Sequence, residues 1–245
     1  MVNIGGKPIL WHIMKIYSQF GFNEFIICLG YKGYMIKEYF MHYYLHNSDI
    51  TIEVGSNKLE VHNTNTESFK VTLVETGLNT KTAGRLKKVK KYIGDSDFML
   101  TYGDGVADIN IHDLLAFHKK HGKTATVTAI QPEARFGGML LDKEGKVVHF
   151  KEKPTGDGKW INGGFFVLKP SVFNYLEGDV EDVMWEDAPM ESLANNGDLI
   201  AYRHPGFWKC MDMKKDVQDL NKMWDDNQAP WRFDAKLKAP APATA

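Results

Sequence analysis

Short apolar runs rich in β-branched and aromatic residues alternate along this chain with longer amphipathic stretches, and this alternation limits its fold more than any other feature. Such a pattern makes βαβ units on a mostly parallel sheet flanked by helices, a Rossmann-like α/β arrangement. The strand-like runs are Phe25–Leu29, Val71–Glu75, Phe98–Tyr102, Thr124–Ile130 and Gly164–Leu168. Helical spacing of apolar residues appears in Ile9–Gln19, Tyr34–His46, Arg85–Tyr92 and Ile111–Lys120. Gly21 and Gly94 are placed to stop the first and third of these helices, because glycine accepts the left-handed conformation that ends a helix. Further on, Met139–Leu141 and Val147–Lys151 flank a turn at Lys143–Lys146 and read as an antiparallel hairpin, so the sheet is mixed. A chain of 245 residues, 43% of them hydrophobic, buries a core of ordinary size in one domain. Its last residues, 235–245, are Ala/Pro-rich without an apolar period and read as a disordered tail.

Charge and cysteine usage exclude several classes of function. Thirty basic against thirty-one acidic residues leave a formal charge of -1, and there is no basic aromatic stripe, which argues against a nucleic-acid partner. No apolar run reaches the roughly 18 residues that span a bilayer, so no membrane partner is expected. Lys7 and Pro8 interrupt any signal-like run at the start. Cys28 and Cys210 are too few for a disulfide framework or a structural zinc site, which suits a reducing cytoplasm. The nine histidines form no metal-ligand pattern, and no nucleophilic triad is legible.

Ligands of doubly wound sheets sit beyond the carboxyl ends of the strands, so the residues that follow strands are the first candidates. Asp104, between Gly103 and Gly105, stands at such an end: it either ligates a hard cation such as Mg²⁺ or belongs to an ordinary Asp-Gly turn. Asp212 lies in the large apolar stretch Gly206–Met213 and either completes a two-carboxylate metal site or caps a helix starting near Lys214. Glu152-Lys153-Pro154 follows a strand, and Lys153 either meets a phosphomonoester or joins a surface charge cluster. Asn162-Gly163-Gly164 offers an amide and open backbone to sugar hydroxyls, or forms a tight turn. Thr80–Arg85 leads into a helix, where hydroxyls, amides and the Arg85 guanidinium make either an anion or base-edge site or a plain N-cap. Trp185-Glu186 and Met190-Glu191 either supply another acid or begin a helix. Tyr39–Tyr44 either contributes to a contact between copies in a homo-oligomer or packs in the core.

The run Ile4-Gly5-Gly6-Lys7-Pro8-Ile9-Leu10-Trp11-His12-Ile13-Met14 resembles the sugar-1-phosphate nucleotidyltransferases, specifically the glucose-1-phosphate cytidylyltransferase family. The resemblance extends to about Trp231 through Gly30-Tyr31-Lys32-Gly33-Tyr34, Thr101–Asp108, Glu152-Lys153-Pro154, Ile161–Val167 and His204–Trp208. It implies a nucleotidyltransferase domain over 1–234 and transfer of a cytidylyl group from CTP to glucose 1-phosphate. CDP-glucose and pyrophosphate are the implied products, supplying sugars of bacterial surface polysaccharide such as O-antigen. Carried over by position, Asp104 and Asp212 resemble Mg²⁺ ligands, and Thr80, Arg85 and Gly103 resemble contacts to CTP. Glu152, Lys153 and Asn162 resemble the sugar-phosphate side, with Asp104 and Lys153 the catalytic pair. Ala83 departs from the glycine usual in the family.

The family pattern opens with a strand and a Gly-Gly-x-Gly-Thr-Arg-Leu loop, and Met1 falls after both, so the fold is expected with its first strand absent. That strand would lie between the ones at Phe25 and Phe98. Either a longer protein begins upstream, or the short chain lacks groups that face the triphosphate. Alternatives to CTP transfer are a UTP- or dTTP-using enzyme of the same kind, and a non-catalytic sugar-nucleotide-binding subunit.

Overall fold

A computed structural model describes residues 1–132, 138–151 and 160–232. In chain order it begins with β1 (Asn3–Ile4), β2 (Lys7–Pro8), α1 (Ile9–Ser18), β3 (Glu24–Leu29), α2 (Gly33–His46), β4 (Ser48–Glu53), β5 (Lys58–Thr64), β6 (Lys70–Glu75) and α3 (Thr82–Ile93). Next come β7 (Phe98–Leu100), β8 (Gly105–Ala107), α4 (Ile111–His121), β9 (Ala125–Ile130), β10 (Gly138–Leu141), β11 (Val147–Lys151), β12 (Ile161–Asn162) and β13 (Phe166–Leu168). A 3-10 turn at Pro170–Leu176 leads to α5 (Ala188–Asn195), β14 (Leu199–Arg203), β15 (Trp208–Cys210) and α6 (Lys214–Asp225). The chain falls into two compact units: Met1, Gly21–Asp95 and Phe173–Ser192 form one, and Val2–Phe20, Ser96–Val172 and the chain from Leu193 form the other.

In the first unit β3 and β6 run parallel, from the pair Glu24↔Lys70 to Leu29↔Glu75. Helix α3 packs on β3 and buries Ala83, Leu86 and Val89, whose spacing of three places them on one helical face. Gly94, at φ 77, forms the C-cap of α3 as the sequence implied. The hairpin β4–β5, paired Ile50↔Val61 and Ile52↔Leu59, was not anticipated. Its strands are exposed or half-exposed throughout, so its apolar positions do not form the dense run that marks a core strand. Within the Tyr39–Tyr44 segment, Tyr39, Phe40 and Tyr43 rest on one another while Met41 and Tyr44 are exposed.

The second unit is built around β9, whose six residues are all buried. On one side β9 pairs in parallel with β14; on the other it meets β12 and β13 antiparallel, and β13 pairs antiparallel with β7. A strand covered on both faces and both edges has no polar alternation to show, which is why Ala125–Ile130 reads as a continuous apolar and threonine run. Helix α4 starts at Asn110, whose side chain accepts from the amides of His112 and Asp113, and ends at Gly122 in the left-handed region. Helix α1 turns Ile9, Ile13, Met14, Ile16 and Tyr17 inward.

Parallel and antiparallel pairings both occur: β3–β6 and β9–β14 are parallel pairs in separate sheets, and the expected hairpin Met139–Leu141/Val147–Lys151 is present as the two-stranded sheet β10–β11. Among the described residues β3 pairs only with β6, and β7 only with β13. No described helix is long and apolar enough to cross a membrane. The tail expected at 235–245 lies outside the described residues.

Candidate active site

In the second unit, β8 and β15 form an antiparallel ladder with Gly105 opposite Cys210, Val106 opposite Lys209 and Ala107 opposite Trp208. Asp104 precedes the first strand and Asp212 follows the second, so the register brings two carboxylates from positions 108 apart in sequence to one end of one ladder. The Met211 amide closes that end by donating to the Asp104 carbonyl at 2.8 Å. Partial burial and the Asp212 carboxylate beside it push the Asp104 carboxyl above its usual value. Cys210 lies in the same field: burial first, then the bond its thiol donates to Asp212 Oδ2 at 3.2 Å and the neighbouring acids, raise it to about 11.

The structure sets aside the helix-capping role considered for Asp212. The stretch Gly206–Met213 is not wholly buried; Trp208–Cys210 is half-buried strand, and Asp212 is exposed at its end. Helix α6 is capped by Met213, whose amide donates to Asp216 Oδ2 at 2.9 Å, so Asp212 is not the cap. At the opposite end of the ladder, Asp108 Oδ1 lies 3.0 Å from His204 Nε2, and the Asp108 amide donates to the Phe207 carbonyl at 3.2 Å. Gly206 keeps this corner closed, since a Cβ there would stand 2.3 Å from Asp108 Oδ1.

Asn162 is the last residue of β12, and the turn that follows it is tightly held. The Gly163 amide donates to the Thr128 carbonyl at 2.8 Å, its own carbonyl accepts from Trp208 Nε1 at 2.7 Å, and the Thr128 amide donates to the Gly164 carbonyl at 3.2 Å. Trp208 therefore links the Asn162 turn to the ladder that carries Asp104 and Asp212. Asn162 Nδ2 donates to the Tyr102 hydroxyl at 2.8 Å. Gly103 is exposed, beside Asp104. Glu152 and Lys153 lie outside the described residues.

Thr80 and Arg85 belong to the first unit. Thr80 is buried; its Oγ1 lies 2.7 Å from the Thr76 carbonyl and 2.8 Å from Glu181 Oε1, and accepts from Lys88 Nζ at 3.1 Å. Lys88 also meets Glu181 Oε1 at 2.6 Å, which holds the Glu181 carboxyl below its usual range. Arg85 Nη1 donates to the Leu29 carbonyl at 3.0 Å and to Thr76 Oγ1 at 2.6 Å, with its guanidinium against Gly30, where a Cβ would lie 2.6 Å from Nη2. The amides of Lys81 and Ala83 donate to the carbonyls of Glu181 and Val183, so neither is open at the start of α3. Thr82 Oγ1 accepts from the Trp185 amide at 2.7 Å and donates to Glu186 Oε2 at 3.0 Å, which gives Glu186 a bracing role; Met190 and Glu191 lie in α5. Glu181 was not found from the sequence, because no local pattern links Thr80 to a residue 101 positions away.

The donor set can be tested against a metal. No group of three or more His, Cys, Asp or Glu side chains is gathered among the described residues. That excludes a protein-only cage there but suits Mg²⁺, which takes one or two carboxylates and fills its other positions with phosphate and water. Two like-charged acids side by side, one already raised by the other, are a pair that a divalent cation would stabilise.

The nucleotidyl transferase family model matches residues 1–226. The chain is 52% identical over 233 residues to glucose-1-phosphate cytidylyltransferase of Salmonella typhimurium, covering 95% of this chain and 90% of the relative. The glucose-1-phosphate cytidylyltransferase of Salmonella typhi matches to the same extent, 52% over 233 residues with 95% and 90% covered. Among solved structures, apo-UDP-glucose pyrophosphorylase superposes with a TM-score of 0.63 at 15% identity over 93% of this chain and 90% of that one, a likeness of fold. The chain belongs to the nucleotidyl transferase family, among the glucose-1-phosphate cytidylyltransferases.

Proposed function

We propose that this protein transfers the cytidylyl group of CTP to glucose 1-phosphate, forming CDP-glucose and pyrophosphate. The meeting of Asp104 and Asp212 at one end of the β8–β15 ladder is the observation that carries the reading, because phosphoryl chemistry of this kind is served by carboxylates that can hold a divalent cation beside phosphate. The two Salmonella relatives at 52% identity are glucose-1-phosphate cytidylyltransferases, which favours CTP over UTP or dTTP, and an enzyme over a binding subunit.

In this reading a phosphate oxygen of glucose 1-phosphate attacks the α-phosphorus of CTP, the bond to the bridging oxygen breaks, and pyrophosphate leaves with that oxygen. No covalent intermediate with the protein is required, so alignment and charge stabilisation supply the rate. Mg²⁺, when bound, would neutralise phosphate charge as a Lewis acid, and Asp104 and Asp212 are the residues that would hold it. Arg85 would offset nucleotide charge with its guanidinium, and Gly103 would let the nucleotide approach closely. Thr80 braces the segment that carries Arg85. Asn162 would orient the sugar, and Glu152 and Lys153 would meet the sugar and its phosphate. The two cysteines are free, which is compatible with the cytoplasm as the place of action, and the product would supply sugars of surface polysaccharide.

The test is to incubate the protein with glucose 1-phosphate, MgCl₂ and each of CTP, UTP, dTTP and GTP, and to follow pyrophosphate and nucleotide sugar. CDP-glucose formed from CTP in preference to the other three is the expected result. Pyrophosphate release with none of the four would remove the reading.

A further inference from the structure

We infer that Tyr102 is a positioning residue for the sugar side of the site: its hydroxyl fixes the plane of the Asn162 amide, so that Nδ2 presents an N–H to one hydroxyl of the sugar phosphate. This rests on the reading above, in which Asn162 meets the sugar.

The Asn162 amide is held at both ends. The Gly164 amide donates to Asn162 Oδ1 at 2.9 Å, and Asn162 Nδ2 donates to the Tyr102 hydroxyl at 2.8 Å. A backbone N–H can only donate, so the atom facing Gly164 must be the oxygen, and the sense of the amide is decided chemically. The bond at Oδ1 alone leaves the amide free to turn about that contact. The second bond, to Tyr102, sets its plane. Nδ2 carries two hydrogens, one directed at Tyr102 and the other in a fixed direction toward the ligand.

Tyr102 is itself well anchored. Its ring meets the buried Phe166 edge-on, with centroids 6.0 Å apart and planes at 88°. It also borders Gly164, at φ 75, where an added Cβ would come within 3.2 Å of Tyr102 Cδ2. Gly164 thus admits the phenol against the turn, and Phe166 prevents it from sliding away. An amide oriented before the ligand arrives loses less freedom on binding, which appears as affinity for the sugar and not for the nucleotide.

The experiment measures KM for glucose 1-phosphate, for its monodeoxy analogues and for CTP with wild type, Tyr102→Phe, Asn162→Ala and the double variant. Tyr102→Phe is expected to raise KM for glucose 1-phosphate about threefold to tenfold, the value of one lost hydrogen bond, and to leave KM for CTP unchanged. With the monodeoxy analogue that lacks the contacted hydroxyl, wild type and Tyr102→Phe should coincide, and on the Asn162→Ala background Tyr102→Phe should add nothing. An unchanged KM for glucose 1-phosphate, an equal rise with every analogue, or a full further rise in the double variant overturns the inference while CDP-glucose synthesis by wild type stands. Absence of CDP-glucose synthesis by wild type overturns the proposed function, and this inference with it.

Discussion

Met211 donates its backbone N–H to the carbonyl of Asp104 at 2.8 Å, one step beyond the Gly105↔Cys210 pair of the β8–β15 ladder. That bond stops the two strands from parting at the end where their carboxylates meet, so like charges stay side by side because the backbone holds them there. Burial and Asp212 together raise the Asp104 carboxyl, a local cost that a bound cation would remove.

Replacing Asp104 by Asn keeps size and hydrogen bonding but removes one charge of the pair. Loss of several kcal/mol of charge stabilisation corresponds to a fall in kcat of about 100-fold or more. Thermal melting without Mg²⁺ should be unchanged or slightly higher, since a repulsion has gone. Rate and melting curves on the same preparation check both; a variant with full activity takes Asp104 out of the reaction.

Gly30→Ala tests Arg85 without altering it. The added Cβ would lie 2.6 Å from Nη2 and 2.8 Å from Nη1, so the guanidinium must shift from its bonds to Leu29 and Thr76. Steady-state kinetics should show a higher KM for CTP with KM for glucose 1-phosphate little changed. Equal effects on both substrates would mean that Arg85 does not act on the nucleotide.

Thr80→Val keeps shape and removes a buried hydroxyl that meets Thr76, Glu181 and Lys88. The expected loss is about 1 to 2 kcal/mol of stability, read as a lower urea midpoint at unchanged slope. If the midpoint stays put, the hydroxyl does not brace the loop, and a direct contact with nucleotide becomes the better account.

Burial holds His12 and His118 below the ordinary histidine value of 6.5. Both take up a proton less readily in the fold than in the unfolded chain, so the unfolded chain binds more protons and stability rises with pH through their titration range. As pH falls below 6.5 that contribution is lost. Urea midpoints at pH 7.5 and 5.5 should therefore differ, the acid one being lower; equal midpoints would show that neither histidine is held neutral.

The sequence by itself determined the elements whose period is strong and local. Helices α1 to α4 and strands β3, β6, β7, β9 and β13 lie where apolar spacing put them, give or take a few residues, because each buries a face whose pattern is written in consecutive positions. It also singled out Asp104, Asp212 and Asn162 as candidates. What only the tertiary structure decided is which residues meet across long separations. Register alone sets Asp104 beside Asp212, leaving Met213 and not Asp212 to cap α6. Thr80 finds Glu181, and Tyr102 finds Asn162, through packing that no local period encodes. Strands β8 and β15 were missed as strands because Gly105 and Lys209 interrupt their apolar residues, and each is completed by hydrogen bonds to the other rather than by a pattern of its own.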